Sequence, residues 1–215
     1  MNSDLRISDQ EHRSTLVYKA GQMYKRIEET DLADTEKYPN WESIFEIMYF
    51  YYSAFDVFES RGCKNVLDFG CGFGMGKIVH DLGRWSFDLT LSDSTISWFK
   101  NEKESFDHVV ESYQLDVLRF TDILKPDFQF VDEVNSKFDA VLTIRFPPIS
   151  RMKITPTQFK ERLSKYCQEE FVYLYLYKNP ALFKDLGIIN EAKRLQEDTS
   201  HKEEIINDEY LMRLY

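Results

Sequence analysis

Along the first 60 residues apolar positions recur at helical spacing; from residue 65 onward short apolar runs alternate with amphipathic stretches. Leu16, Ala20, Met23 and Ile27 mark one face of a first helix, with Ser8 and Glu11 placed as a capping box at its start. The polar break DLADTEKYPN ends it, and a second helix is expected from Trp41. In that second helix Glu42, Glu46, Ser53 and Asp56 fall on one narrow face. Ile44, Phe45, Met48, Tyr52 and Phe55 occupy the rest of the circumference, so this helix should be packed on both sides. Val66 to Phe69 reads as a short buried strand, and 75–82 as a helix with Gly83 as its stop signal. Phe87, Leu89 and Leu91 alternate with Asp88, Thr90 and Ser92, which is strand periodicity. Further strands are expected over His108–Leu115, Asp139–Ile144 and Phe171–Tyr177. Thr155-Pro156-Thr157-Gln158 is a helix start: Thr as cap, Pro in the first turn, Gln three after the cap. Residues 197–209 are mostly acidic and polar, and Glu209–Tyr215 reads as a last strand. Strands alternating with helices predict a mostly parallel α/β sheet with helices on both faces, behind a helical N-terminal cap over residues 1–61.

Charge and composition narrow the function classes. A net charge of −10 with no basic run argues against a nucleic-acid substrate, because phosphate binding needs a basic footprint. Cys63, Cys71 and Cys167 form an odd set without CxxC spacing, which points to neither a disulfide framework nor a zinc site. The histidines His12, His80, His108 and His201 share no metal-ligand spacing either, so no metal is expected. The first 14 residues lack an apolar segment, and no window approaches the roughly 18 apolar residues of a membrane span. A soluble, reducing, cytoplasmic setting is the expectation, with no membrane partner.

The most informative stretch is Val66-Leu67-Asp68-Phe69-Gly70-Cys71-Gly72-Phe73-Gly74. A hydrophobic strand carrying an acid runs into three alternating glycines. Glycine is needed where backbone takes positive φ or lies against a ligand, and nucleotide-binding sheets hold ligands at this carboxyl edge. The dinucleotide pattern G-x-G-x-x-G would need a glycine at position 75, which is Met75. A nicotinamide-dependent oxidoreductase is therefore disfavoured. Cys71 has no visible base partner, and the expected role is that of a small side chain in a crowded turn.

The spacing D-x-G-x-G-x-G resembles the first motif of class I S-adenosylmethionine-dependent methyltransferases. The resemblance covers residues 62–177 and implies a Rossmann-like domain over 62–215 that binds S-adenosylmethionine. An acid at Asp68 suits a ligand with a cationic ammonium group and no phosphate. By the same resemblance Gly70, Cys71, Gly72 and Gly74 shape the cofactor loop and Asp68 faces the methionine end. Asp93, 25 residues later and followed by Ser94, would accept from the ribose hydroxyls. Asp116, placed after the third strand and followed by Val117, would serve the adenine. Asp93 also fits a second role, capping a helix that begins at Thr95.

The resemblance puts acceptor contacts after the fourth strand, at Thr143-Ile144-Arg145-Phe146-Pro147-Pro148-Ile149. This is superficially similar to the D/N-P-P-Y/F motif of amino-group methyltransferases. Phe146 stands where the hydrogen-bonding Asp or Asn belongs and Ile149 where the stacking aromatic belongs, so that activity is not carried over. Arg145 is a candidate for gripping a substrate carboxylate or phosphate. Tyr49, Tyr51 and Tyr52, on the aromatic helix, are candidates for lining the pocket, Tyr52 among the catalytic candidates. The expected function is methyl transfer from S-adenosylmethionine to a small-molecule acceptor. The alternative is a protein of the same fold that holds the cofactor or its demethylated product without turnover.

Overall fold

The computed structural model describes residues 10–29, 41–82, 85–94, 115–144, 153–178, 202–207 and 210–214. Two long helices, α1 (Gln10–Glu29) and α2 (Trp41–Ser60), precede β1 (Asn65–Phe69), α3 (Met75–His80), β2 (Asp88–Ser94) and β3 (Val117–Phe120). The chain continues through β4 (Phe138–Ile144), α4 (Pro156–Leu163), β5 (Cys167–Lys178), β6 (Lys202–Asn207) and β7 (Tyr210–Leu214). The strands form one sheet in the order β3-β2-β1-β4-β5-β7-β6. β1 to β5 are parallel, and β7 runs antiparallel to both of its neighbours. The chain moves outward from β1 through β2 to β3 and then returns to β4 on the other side of β1. Strand order therefore reverses beside β1, the position at which doubly wound sheets place their ligands.

Alternation along the strands divides the core in two. Val66, Ala140, Leu142 and Leu174 face α1, α2 and α3, in one cluster with Met48, Phe55 and Phe58. Leu67, Phe69, Val141 and Tyr173 face the opposite way, onto Phe159 and Leu163 of α4 and the aromatic loop that carries Phe128 and Phe130. α2 is buried nearly all round, as its apolar circumference predicts: Ile44, Met48, Phe50, Tyr52, Phe55 and Phe58 are fully buried. The first two helices thus share a hydrophobic core with the sheet. Two members of the proposed polar stripe are satisfied differently from surface groups. Ser53 is buried and its hydroxyl donates to the Tyr49 carbonyl at 3.0 Å, while Asp56 accepts from the Trp85 indole at 3.4 Å.

Helix α4 begins where the sequence places it. The Thr155 hydroxyl accepts from the Gln158 amide at 3.1 Å, and the Gln158 side chain accepts from the Thr155 amide at 3.0 Å. The Ser8–Glu11 box lies outside the described residues. The third strand is displaced from its expected place: β3 spans Val117–Phe120 instead of 108–115. β6 was not expected as a strand, and it forms the far edge of the sheet.

Candidate functional site

Strand β1 splits its last two side chains between the two cores. Phe69 points into the α4-side core, stacked on Phe120 at 4.1 Å and edge-on to Phe159 at 4.9 Å. That aromatic anchor fixes the strand at the point where the chain leaves it. Asp68 points the other way, under α2 and α3, and is fully buried.

The turn that follows has Gly70, Gly72 and Gly74 at φ of 80°, 53° and 70°. Each lies in the left-handed region that favours glycine. Gly70 and Cys71 amides both donate to the Ser92 carbonyl, at 2.9 and 3.0 Å, which ties the loop to the end of β2. Asp93 completes the clamp, accepting from the Gly72 amide through Oδ2 at 2.9 Å and from the Ser94 amide through Oδ1 at 2.7 Å. Asp93 is therefore the last acid of β2 and a support of the glycine loop at once. The helix-cap alternative falls on residues 95–114, outside the described residues.

The glycines differ in what surrounds them. A Cβ on Gly72 would meet no atom within 4 Å, so this part of the loop faces open space. A Cβ on Gly74 would come within 2.6 Å of Leu115 Cδ1. Leu115 thereby packs the approach to β3 against the glycine loop. Asp116 is exposed and precedes β3 by one residue, which corrects its expected place after that strand. It borders a cleft of about 650 Å³ also lined by Lys77, Leu89, Leu91 and Leu118. Val117, the first residue of β3, is half-buried.

A fourth glycine was not singled out from the sequence, although the alternation continues to it. Gly76 lies inside α3, where a Cβ would stand 2.6 Å from Asp68 Oδ2 and 2.7 Å from Tyr51 Cε1. Only a bare Cα lets α3 close over the buried acid. Tyr51, from α2, donates its hydroxyl to Asp68 Oδ1 at 3.1 Å. Asp68 Oδ2 is buried without a hydrogen-bond partner among the described residues. Of the candidate tyrosines, Tyr51 reaches the buried acid. Tyr52 is fully buried in the core, its ring edge-on to Trp85 at 5.1 Å. Arg145 and the 146–149 segment lie outside the described residues.

Burial pushes the Asp68 carboxyl up to about 8; the Tyr51 hydroxyl opposes this shift and the nearby Asp93 carboxylate adds to it. An ordinary unfolded Asp titrates near 4. Between those values the folded protein holds a proton that the unfolded chain has lost. Asp68 therefore makes stability fall as pH rises through roughly 4 to 8, by at most about 1.4 kcal/mol per unit. Asp68→Asn should lose less stability than the wild type between pH 5 and pH 8 in urea unfolding. Equal losses would show that Asp68 is already ionised in the native protein. Burial, with Asp93 and Asp68 nearby, also raises the Cys71 thiol well above its ordinary value. A buried, protonated thiol is no nucleophile, in keeping with Cys71 as a small turn residue. His80 is likewise structural, with Nε2 2.8 Å from the Phe87 carbonyl. Among the described residues no cluster of His, Cys, Asp or Glu could hold a metal ion, and no helix is long and apolar enough to cross a membrane.

No family model matches the chain, and no curated protein matches it in sequence. Solved structures match it in fold. A methyltransferase from Podospora anserina, determined with SAH bound, is 9% identical with a TM-score of 0.51, over 92% of this chain and 86% of that one. A SAM-dependent methyltransferase from Aquifex aeolicus is 13% identical with a TM-score of 0.44, over 74% and 86% of the two chains. The chain shares the Rossmann-like α/β fold of the Podospora anserina methyltransferase.

Proposed function

We propose that this protein is an S-adenosylmethionine-dependent methyltransferase acting on a small-molecule acceptor. The observation that carries the proposal is the loop of three left-handed glycines at the strand-order reversal, with a buried acid beneath it and a second acid bracing it. The buried Asp68 carboxyl, with one oxygen lacking a hydrogen-bond partner among the described residues, suits a nearby cationic group, and the open space before Gly72 fits a ligand lying on the backbone.

In this proposal Gly70, Cys71, Gly72 and Gly74 present main chain to the cofactor. Asp68 supports its amino end and Asp93 takes the ribose hydroxyls. Asp116 and Val117, brought near by the packing of Leu115 on Gly74, border the adenine. When bound, S-adenosylmethionine supplies a methyl group on a positively charged sulfur. The protein's part is alignment and exclusion of water, with a base needed only where the acceptor must shed a proton. The net charge of −10 favours neutral or cationic acceptors over polyanions.

Turnover is the test. Purified protein given S-adenosylmethionine and pools of amines, phenols, thiols and carboxylic acids should produce S-adenosylhomocysteine above the acceptor-free rate with at least one pool. Tight cofactor binding with no acceptor-dependent product would replace the enzyme by a cofactor-binding protein.

A further inference from the structure

The Asp68 pocket has a partner that the glycine loop does not explain. Four elements meet at this carboxyl group. β1 carries it, α3 covers it at Gly76, β2 brings the Asp93 carboxylate near, and α2 inserts Tyr51. Tyr51 packs its ring against Phe55 at 5.8 Å and over Gly76, and turns its hydroxyl onto Asp68 Oδ1. Around Asp68 the described titratable neighbours are therefore one donor, Tyr51, one like charge, Asp93, and the protonated thiol of Cys71. The described cation nearby is Arg119 of β3, in register with Asp93, and the Arg119 charge opposes the rise of the Cys71 thiol.

We infer that Tyr51 is a positioning residue for the cofactor: from α2 its hydroxyl holds one oxygen of the buried Asp68 carboxyl, whose charge acts on the cationic amino end of the bound ligand. This rests on the cofactor reading above. A buried carboxylate is costly without a compensating donor or charge. Tyr51 supplies the donor at all times, and the ligand's ammonium supplies the charge on binding. The N-terminal helix thus acts on the cofactor through Asp68. Because Asp68 is largely protonated in the free protein at neutral pH, ligand binding should expel its proton. Affinity should then rise with pH up to about 8, and loss of the Tyr51 bond should displace that rise to higher pH.

The variant is Tyr51→Phe, which keeps the ring and its packing. The probes are S-adenosylhomocysteine and 5′-methylthioadenosine, which share the adenosine but differ in the amino-acid end. In titration calorimetry from pH 6 to 8.5, Tyr51→Phe should bind S-adenosylhomocysteine about tenfold more weakly at pH 7. The pH dependence should shift upward by roughly one unit, and affinity for 5′-methylthioadenosine should not change. Equal weakening toward both probes, or an unshifted pH profile, would make Tyr51 a packing residue and overturn the inference. Failure of the wild type to bind either probe would instead overturn the cofactor reading.

Discussion

Asp93→Ala is expected to weaken S-adenosylhomocysteine binding by tenfold or more and to lower the melting temperature as well. Both effects follow from the carboxylate's double duty. In the structure it accepts from the Gly72 and Ser94 amides, so its removal strips the loop of its brace. Hydrogen bonds to a charged group contribute about 1.5–3 kcal/mol each, and 1.4 kcal/mol is one decade in affinity. Losing the ribose contacts alone would therefore cost at least a decade, and a loosened glycine loop adds to it. A dideoxyribose analogue of S-adenosylhomocysteine separates the two contributions. Wild type should bind the analogue more weakly than the parent compound, whereas Asp93→Ala should hardly distinguish them. A variant that is less stable but still discriminates between the two ligands would leave Asp93 as a loop brace only.

Gly76→Ala should destabilise the protein, against the ordinary expectation for a helix. Within α3, alanine should gain about 0.5–1 kcal/mol over glycine from backbone propensity. Here the new methyl group would stand 2.6 Å from Asp68 Oδ2 and 2.7 Å from the Tyr51 ring. Neither neighbour yields easily: Asp68 is fixed on β1, and the Tyr51 ring is buried in the core. Overpacking of this kind costs about 1–3 kcal/mol, which outweighs the propensity gain. The net loss should lower the melting temperature by a few degrees for a chain of this size. It should also weaken cofactor binding, because Asp68 and Tyr51 are the groups forced apart. Thermal melts and calorimetry on one preparation suffice. A variant more stable than wild type would mean that α3 does not close over Asp68 as described.

The elements legible in the sequence are those whose signal is local. The capping box at Thr155–Gln158 places the start of α4 correctly because it is a complete hydrogen-bonding unit within four residues. β1 and β4 are read correctly as nearly unbroken apolar runs, as central parallel strands buried on both faces should be. The edges are not legible. β3 has four residues and, among the described residues, β2 as its one neighbouring strand beside a single Phe120–Phe130 bridge, and β6 is the polar segment KEEIIN at the far edge. An edge strand carries little of the apolar pattern that marks buried ones. The glycine loop and its two acids are visible because their spacing is local too. What escapes is long-range. Tyr51 is 17 residues from Asp68, and nothing in the run of aromatics on α2 marks it apart from Tyr49 or Tyr52. Gly76 continues the alternation of the loop, but its necessity is set by two side chains from other elements. Asp93 offers two familiar roles in sequence, and its bond to Gly72 is a third that only the turn's geometry reveals.

Titration calorimetry of the full chain with S-adenosylmethionine, S-adenosylhomocysteine and NAD tests the central claim most directly. Binding of the first two, saturable at one site per chain, with no heat from NAD, is the predicted result. Binding of NAD with no response to either sulfur ligand would contradict it, and would mean that the Gly70–Gly74 loop holds a pyrophosphate instead.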